Sequence, residues 1–164
     1  MRTIGENRRK TVEDYVARQV ERGRFADSRF EEFLEEFTVV DESVNLERPV
    51  KTKSGRYWYN LHVVLTVRDR SRITDRRRLT RLRDWALKVG EAKKYRISRL
   101  SMMPDHLHVS LGGNINCSPE EIALSFMNNL AYGVGQMALW QPSFYVGSFG
   151  EYDMWAVRRR RLSI

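Results

Sequence analysis

The sequence predicts an α+β domain in which four strands and two helices follow one another in the order βαββαβ. Two observations support this order. Residues 57–67 are rich in aromatic and β-branched residues, and residues 106–111 alternate between polar and apolar side chains, both of which are typical of strands. Two further segments, at 75–89 and 118–139, begin with residues that cap helices. The order is that of the ferredoxin-like split unit, an antiparallel sheet with both helices on one face.

The first strand is predicted over 57–67, which is rich in aromatic and β-branched residues. Successive side chains of a strand point to opposite faces, so the segment separates into two sets. One set is Leu61, Val63, Leu65 and Val67, and the other is His62, Val64 and Thr66. If this strand lies beside the strand at 103–111, His62 comes close to the histidines of that strand.

The first helix of the unit is predicted from the N-cap Asp75 to about Val89, with Gly90 as its C-terminal stop. A strand over 95–103 follows this helix. That strand then turns directly into the strand at 103–111.

The second helix has the stronger start, because Ser118 at the N-cap, Pro119 at the first position and Glu121 at the third are typical of helix N-termini. We expect this helix to run to about Leu139. A fourth strand is predicted over 144–149, and a short terminal helix over 151–160.

Residues 1–56 are predicted to form a helical extension to the domain, which itself occupies 57–164. One helix is expected from Val12 to about Gly23. A second is expected from Ser28 to Phe37, where apolar residues recur at helical spacing. The polar stretch 41–56 is interpreted as a linker or an irregular loop. With both helices of the split unit on one face, the second face of the sheet is expected to be open.

The composition favours nucleic acid as a partner. The formal net charge is +8 and the isoelectric point is near 9.9, and such an excess of cations favours binding of a polyanion. No apolar segment is long enough to span a membrane. A single cysteine fits the reducing cytoplasm. With nucleic acid as its partner, the protein is expected to associate with the nucleoid. The arginines expected to contact phosphates are Arg70, Arg72, Arg76, Arg77, Arg78, Arg81, Arg158 and Arg159.

Two of the three histidines, His106 and His108, are separated by one residue on the predicted third strand. Both therefore point to one face, about 7 Å apart at a rise of about 3.3 Å per residue. Leu107 and Val109 point to the other face. Because imidazole is the commonest protein ligand of metal ions, the pair predicts a site for one small cation on the open face.

The sequence Met-Pro-Asp-His-Leu-His at 103–108, preceded by a basic strand and helix, resembles the HUH single-tyrosine transposases of insertion sequences, including the REP-associated tyrosine transposases. Leu139-Trp140 and the segment Phe-Tyr-Val-Gly-Ser-Phe-Gly at 144–150 are similar to the tryptophan, fourth strand and glycine of that family. The resemblance covers about 57–157. The N-terminal extension has no counterpart in it.

The resemblance implies an enzyme that nicks and rejoins single-stranded DNA. A tyrosine attacks a phosphodiester and forms a 5′-phosphotyrosine, while Mg²⁺ or Mn²⁺ bound by the two histidines stabilises the transition state. His62, Asp105 and Gln136 are the candidates for a third metal ligand. The implied partners are single-stranded DNA, in particular hairpin ends of the protein's own element, and a second copy of the chain in a homodimer.

The tyrosine of that family stands on the terminal helix, four residues before a glutamine, and this sequence departs from the pattern. The terminal helix offers Tyr152, which is followed at that distance by Ala156. Tyr132 has Gln136 four residues on, but it belongs to the second helix of the unit. Tyr152 is therefore the first candidate for the nucleophile, and Tyr132 is the alternative.

Two other functions stay open on the sequence. A DNA-binding or regulatory protein of the same fold, with the tyrosine chemistry lost, would account for the missing tyrosine–glutamine pair. A two-histidine phosphoesterase would need two separated His-x-Ser/Thr motifs, and the sequence supplies one, at 108–110. The transposase is the main hypothesis because the histidine pair is intact.

Overall fold

The computed structural model of the chain describes residues 8–22 and 28–150. The helices within them are α1 (Arg9–Ala17), α2 (Gln19–Arg22), α3 (Ser28–Glu35), α4 (Arg76–Lys93) and α5 (Pro119–Gly133). The strands are β1 (Thr38–Val40), β2 (Val50–Lys51), β3 (Arg56–Tyr57), β4 (Asn60–Val67), β5 (Arg96–Met102), β6 (His106–Gly112) and β7 (Trp140–Ser148). None of these helices is long and apolar enough to cross a membrane. The helix predicted over 151–160 lies outside the described residues.

Five strands form one antiparallel sheet in the order β1-β5-β6-β4-β7. The elements β4, α4, β5, β6, α5 and β7 follow one another in the predicted order βαββαβ. The first and third strands of this unit, β4 and β6, are paired at the centre of the sheet. The predicted α+β, ferredoxin-like fold is confirmed.

The pairing of β4 with β6 brings the polar residues of both strands to one face. Val64 lies opposite His108, and His62 lies opposite Ser110. Residues that are directly opposite in an antiparallel pair project from the same face of the sheet. The predicted proximity of His62 to the histidine strand is confirmed.

The other face of the central strands is the hydrophobic core. Leu107, Val109 and Leu111 of β6 are fully buried, in one cluster with residues such as Leu79 of α4 and Phe126 of α5. Burial of one such side chain stabilises a fold by about 1.5–3 kcal/mol. Helices α4 and α5 therefore cover the aliphatic face, as the sequence predicts.

The C-terminal boundary of α4 differs from the predicted one. The helix continues past Gly90 to Lys93, and the left-handed residue that ends it is Lys94, with φ 59°. Gly90 lies inside the helix, where the Ile97 side chain approaches it closely and leaves little room for a Cβ. A Cβ at position 90 would lie 2.6 Å from the Ile97 side chain.

The second helix and the last strand also differ from the predicted boundaries. α5 ends at Gly133 rather than near Leu139. β7 begins at Trp140 rather than at residue 144, although Pro142 is part of it. Proline is tolerated there because β7 is at the edge of the sheet, where one side of the strand needs no hydrogen-bond partner.

The N-terminal extension packs on the sheet. β1 pairs with β5, with Thr38 opposite Ser101. Helix α1 contacts β5 and β6 on the face opposite α4 and α5, so the face expected to be open is covered in part. The stretch 41–56, expected to be a linker or loop, contains β2, which pairs with β3. The division of the chain into two domains at residue 56 stays a prediction.

Candidate metal and nucleic-acid site

Three histidines meet on the face of the sheet that α1 covers. His106 and His108 project from β6, and His62 projects from β4. The ring centroids of His106 and His108 are 4.8 Å apart, and those of His62 and His108 are 5.2 Å apart. His62 and His108 are buried, whereas His106 is partly exposed. The three residues therefore form one cluster with an accessible side.

Burial keeps the two inner histidines neutral. It lowers the pKa of His62 to about 4. The pKa of His108 is lowered to about 2, by burial first and then by the neighbouring His106 and His62. Because neutral imidazole is the form that binds a metal ion, both inner side chains are in the binding form at neutral pH.

Hydrogen bonds determine which nitrogen the β6 histidines present. His62 Nε2 and His108 Nδ1 are 3.0 Å apart, and one of them donates to the other. His106 Nδ1 donates to Asp105 Oδ1 at 2.6 Å. Both contacts use Nδ1 of the β6 residue. His106 Nε2 is therefore free to bind a cation, and His108 Nε2 is free in the tautomer in which His108 Nδ1 donates its proton to His62 Nε2. A partner of this kind behind the ring is the usual support of a metal-binding histidine.

His106 and His108 offer two imidazole nitrogens, and this donor set fits a divalent cation. Among residues 8–22 and 28–150, no three His, Cys, Asp or Glu side chains are grouped so that they could hold one ion. Two of the expected third ligands already have a partner, since His62 is bonded to His108 and Asp105 to His106. Within these residues, a further ligand must be of another chemical type or come from water or substrate.

Helix α1 places Tyr15 against the histidines. Its ring centroid lies 5.4 Å from that of His108 and 5.9 Å from that of His62, in edge-on contacts. Gln19, four residues further on, is buried and donates its Nε2 proton to the Tyr15 carbonyl oxygen at 2.6 Å. The guanidinium carbon of Arg22 lies 4.8 Å from the centre of the Tyr15 ring. The consecutive helices α1 and α2 thus bring a phenol, an amide and a cation to the cluster.

Tyr15 borders two clefts. The first, of about 490 Å³, is the one into which His106 opens, and we call it the histidine cleft. Its walls include Tyr15, Gln19, Arg22, Arg70, Arg72, Asp105, His106 and His108. The second, of about 530 Å³, is lined by His62, Tyr145, Tyr15 and Arg22 among others. The histidine cleft combines metal-binding nitrogens with cationic side chains.

The structure places Tyr132, the alternative candidate for the nucleophile, and Gln136, a candidate metal ligand, away from the histidine cluster. Tyr132 belongs to α5, on the aliphatic side of the sheet, where it is 72% exposed and contacts Trp85. Gln136 follows the end of α5 at Gly133, so helical spacing does not relate it to Tyr132. It lines a different cleft, of about 450 Å³. The pattern was misleading because it assumed a helix that continues to residue 139.

Other candidates lie outside the described residues or beside the cluster. Tyr152, Arg158 and Arg159 are outside the described residues, so their roles stay predictions. The ring of Tyr145 on β7 lies 5.7 Å from that of His62, and burial raises the pKa of its phenol. Tyr145 thus contacts the supporting histidine rather than the two residues on β6.

A transposase family model covers the part of the chain that contains the sheet and the histidines. The family model described as "Transposase IS200 like" matches residues 56–159. The chain belongs to the IS200-like transposase family. No curated protein matches the sequence.

Two solved structures are similar to this IS200-like transposase. One is a protein from Deinococcus radiodurans R1 assigned as a transposase, with 16% identity and a TM-score of 0.57 over 69% of this chain and 95% of that chain. The other is a REP-associated tyrosine transposase bound to a REP hairpin, with 16% identity and a TM-score of 0.47 over 66% of this chain and 68% of that chain. The similarity to the Deinococcus radiodurans protein supports the ferredoxin-like fold.

The arginines expected to bind DNA fall into three groups in this IS200-like transposase. Arg70 and Arg72 line the histidine cleft, and Arg70 also lies 3.4 Å from Asp105. Arg76 is ion-paired with Glu36 of the extension. The cleft that contains Gln136 is lined by Arg77, Arg78 and Arg81. The structure therefore places two of the described arginines beside the histidines.

The sequence does contain a signal for the contribution of α1. Tyr15 and Gln19 have the same four-residue separation as Tyr132 and Gln136, although Tyr15 lies on α1 and Gln19 begins α2. The pair stands in the N-terminal extension, where the family resemblance has no counterpart. Only the packing of α1 on the sheet brings it to the histidines.

Proposed function

We propose that this IS200-like transposase nicks and rejoins single-stranded DNA in a metal-dependent reaction that passes through a 5′-phosphotyrosine. The observation that supports this proposal most directly is the arrangement of His106 and His108. Each ring has a hydrogen-bond partner at Nδ1, and both line a cleft that arginines border. Such a cleft suits a phosphate of single-stranded DNA beside a bound cation, because arginine is the side chain best suited to phosphate.

Nε2 of His106 and Nε2 of His108 would hold Mg²⁺ or Mn²⁺, of which Mn²⁺ is better suited to imidazole. When bound, the ion supplies Lewis-acid polarisation of a phosphate oxygen. The surrounding residues orient the two histidine rings and attract the DNA. His62 and Asp105 hold the two rings in position, and Arg70 and Arg72 give the cleft a positive potential that attracts the DNA backbone.

The covalent step exchanges one phosphodiester for another. A tyrosine oxygen forms a bond to phosphorus, the bond between phosphorus and the 3′-oxygen breaks, and the phenol proton ends on the released 3′-hydroxyl. Attack of a 3′-hydroxyl on the phosphotyrosine reverses these changes. Because the number of phosphodiester bonds is unchanged, rejoining needs no ATP.

The DNA partner of this reaction is supported by the formal net charge of +8 and by the arginines of the histidine cleft. Three finer expectations come from the family resemblance. They are the recognition of hairpin ends of the protein's own element, a homodimer, and association with the nucleoid. All three stay predictions.

A second candidate is a catalytically degenerate DNA-binding or regulatory protein of the same fold. It is favoured by the lack, within 8–22 and 28–150, of a third His, Cys, Asp or Glu side chain at the metal position. Such a protein would keep the basic cleft and lose the covalent step. The two candidates therefore differ in one measurable product, a covalent protein–DNA adduct.

The test is incubation of the purified full chain with labelled single-stranded DNA from the flanks of its own gene, with Mn²⁺ or with EDTA. Adducts are then read on a denaturing gel. We expect an adduct that requires Mn²⁺, is lost in His106→Ala, and is unchanged in Glu91→Ala, a control on the exposed side of α4. DNA binding without an adduct on any flank sequence would instead favour the degenerate protein.

A further inference from the structure

We infer that Tyr15 is the nucleophile of this transposase and that Gln19 is the third protein ligand of its metal ion. The inference rests on the proposed function. It means that the helix carrying the tyrosine precedes the sheet in this chain, whereas the family resemblance places that helix after the sheet. The site would then be built from the N-terminal extension and the central strands.

The position of Tyr15 is determined by its neighbours on α1. Val12 and Val16 are buried in a small cluster with Leu46 and Phe149, and this cluster anchors the helix on the histidine face. Tyr15 is three residues after Val12 and so shares a helical face with it, and the Tyr15 side chain packs against the same cluster. Its ring then reaches His108 at a centroid distance of 5.4 Å.

A nucleophile must reach the phosphate that the metal ion polarises. Tyr15 meets this requirement because it lines the histidine cleft together with His106 and His108. It also lines the second cleft, so a strand of DNA can approach it from either side. No other tyrosine is among the described residues that line the histidine cleft.

Gln19 supplies the kind of donor that the histidine pair lacks. Its side chain is 6% exposed, although glutamine is usually a surface residue. Its Nε2 donates to the Tyr15 carbonyl oxygen, which orients the amide and leaves Oε1 as its acceptor atom. An amide oxygen suits a hard cation such as Mg²⁺ or Mn²⁺. Gln19 also lines the same cleft as His106 and His108.

Arg22, on α2 with Gln19, adds a cationic group beside Tyr15. Its guanidinium carbon lies 4.8 Å from the centre of the Tyr15 ring, and its side chain lines both clefts. A guanidinium group at this position stabilises the negative charge of a phenolate and of the phosphate that it attacks. Tyr15, Gln19 and Arg22 therefore combine nucleophile, ligand and charge stabilisation at spacings of four and three residues.

Two competing tyrosines are less well placed for attack. Tyr145 contacts His62, and its hydroxyl is buried without a hydrogen-bond partner in the described part of the chain. Tyr132 contacts Trp85 on the opposite side of the sheet. Tyr152 lies outside the described residues and is the direct competitor in the experiment.

Mapping of the covalent adduct tests the nucleophile. The adduct formed with Mn²⁺ by the full chain is digested with trypsin, and the peptide that carries DNA is identified by mass spectrometry. We expect it to be the peptide 11–18, which contains Tyr15. We also expect Tyr15→Phe to bind DNA but form no adduct, whereas Tyr152→Phe and Tyr145→Phe keep the adduct.

The outcomes separate this inference from the proposed function. An adduct that maps to Tyr152 and persists in Tyr15→Phe overturns the inference and leaves the proposed function intact. If the wild-type protein forms no adduct on any flank sequence, both are overturned.

Metal binding tests Gln19 in the absence of DNA. In a calorimetric titration of the full chain with Mn²⁺, Gln19→Ala should bind at least about tenfold more weakly than wild type. Gln19→Glu, which keeps an oxygen donor at the same position, should restore binding and so excludes a merely structural effect. Gln136→Ala, in a different cleft, should bind as wild type does. Wild-type affinity in Gln19→Ala would overturn the ligand role.

Discussion

His62 and His108 are hydrogen-bonded across the two central strands, with His62 Nε2 3.0 Å from His108 Nδ1 and the ring planes 16° apart. In the tautomer in which His108 Nδ1 donates to His62, the His108 ring presents an unprotonated Nε2 on its other side. Tyr15 packs edge-on against both rings and limits their movement from the other side. We therefore expect His62 to position His108 rather than to serve as the third ligand.

Replacement of His62 by phenylalanine should weaken metal binding while the sheet stays folded. Phenylalanine fills the buried position but cannot bond to His108 Nδ1. Partners behind metal-binding histidines contribute about 10–100-fold to affinity, so a loss of that order is expected in a calorimetric Mn²⁺ titration. His62→Gln, which can bond to His108, should recover most of the affinity. Equal affinities of wild type and His62→Phe would show that the hydrogen bond does not orient the ligand.

Replacement of Arg72 by alanine should reduce the salt dependence of DNA binding. Arg72 is exposed and lines the histidine cleft, where it is expected to bind a phosphate. For single-stranded DNA, each phosphate that the protein no longer neutralises makes the slope of log affinity against log salt less steep by about 0.7. Fluorescence anisotropy with a labelled oligonucleotide at several salt concentrations measures this slope. Arg81→Ala, in the other cleft, is the matched control, and an equal change there would remove the distinction between the clefts.

Replacement of Gly133 by alanine should destabilise the protein, although position 133 lies at the end of helix α5. A Cβ at this position would lie 2.6 Å from ring atoms of Trp85. Alanine favours a helix over glycine by about 1 kcal/mol, but overpacking costs about 1–3 kcal/mol. We therefore expect a lower free energy of unfolding in urea, followed by circular dichroism. In a Trp85→Ala background the penalty should disappear, and the same penalty in both backgrounds would contradict the clash.

Much of the fold could be predicted because it depends on local patterns. Strand β6 has one apolar face, so the alternation of Leu107 and Val109 with His106 and His108 predicts which residues are buried in the core. Helix starts are equally local. The caps Asp75 and Ser118 accept the expected backbone hydrogen bonds, and these bonds involve residues three positions apart.

The rest depends on contacts between residues that are distant in the sequence. Glycine often ends a helix, but Gly90 lies inside α4, where its lack of a side chain accommodates the distant residue Ile97. Tyr15 meets His108 across 93 positions (108 − 15), and no periodicity encodes that contact. The sequence therefore predicts the proximity of the histidines, whereas the contact of Tyr15 with them appears only in the structure.

Replacement of Tyr95 by phenylalanine should make stability less sensitive to alkaline pH. Burial raises the pKa of the Tyr95 phenol to about 12, above its ordinary value of 10.0. The folded state therefore holds this proton more tightly than the unfolded state. The stabilisation is fully present below about pH 10 and is lost as the pH rises from about 10 through about 12.

Urea denaturation at about pH 9 and about pH 11 measures this effect. Wild type should lose more free energy of unfolding between the two values than Tyr95→Phe does. An equal loss in the two proteins would assign the alkaline sensitivity to other groups.

Helix α1 is nine residues long, and a helix of this length is only marginally stable by itself in water. It is helical because Val12 and Val16 dock on the sheet, so docking and helix formation are one coupled event. The reverse event is a local opening, which requires less free energy than unfolding of the whole protein. Each opening separates Tyr15 from the histidines and uncovers the central strands. Amide hydrogen exchange in α1 therefore measures how often the histidine face of the central strands is exposed.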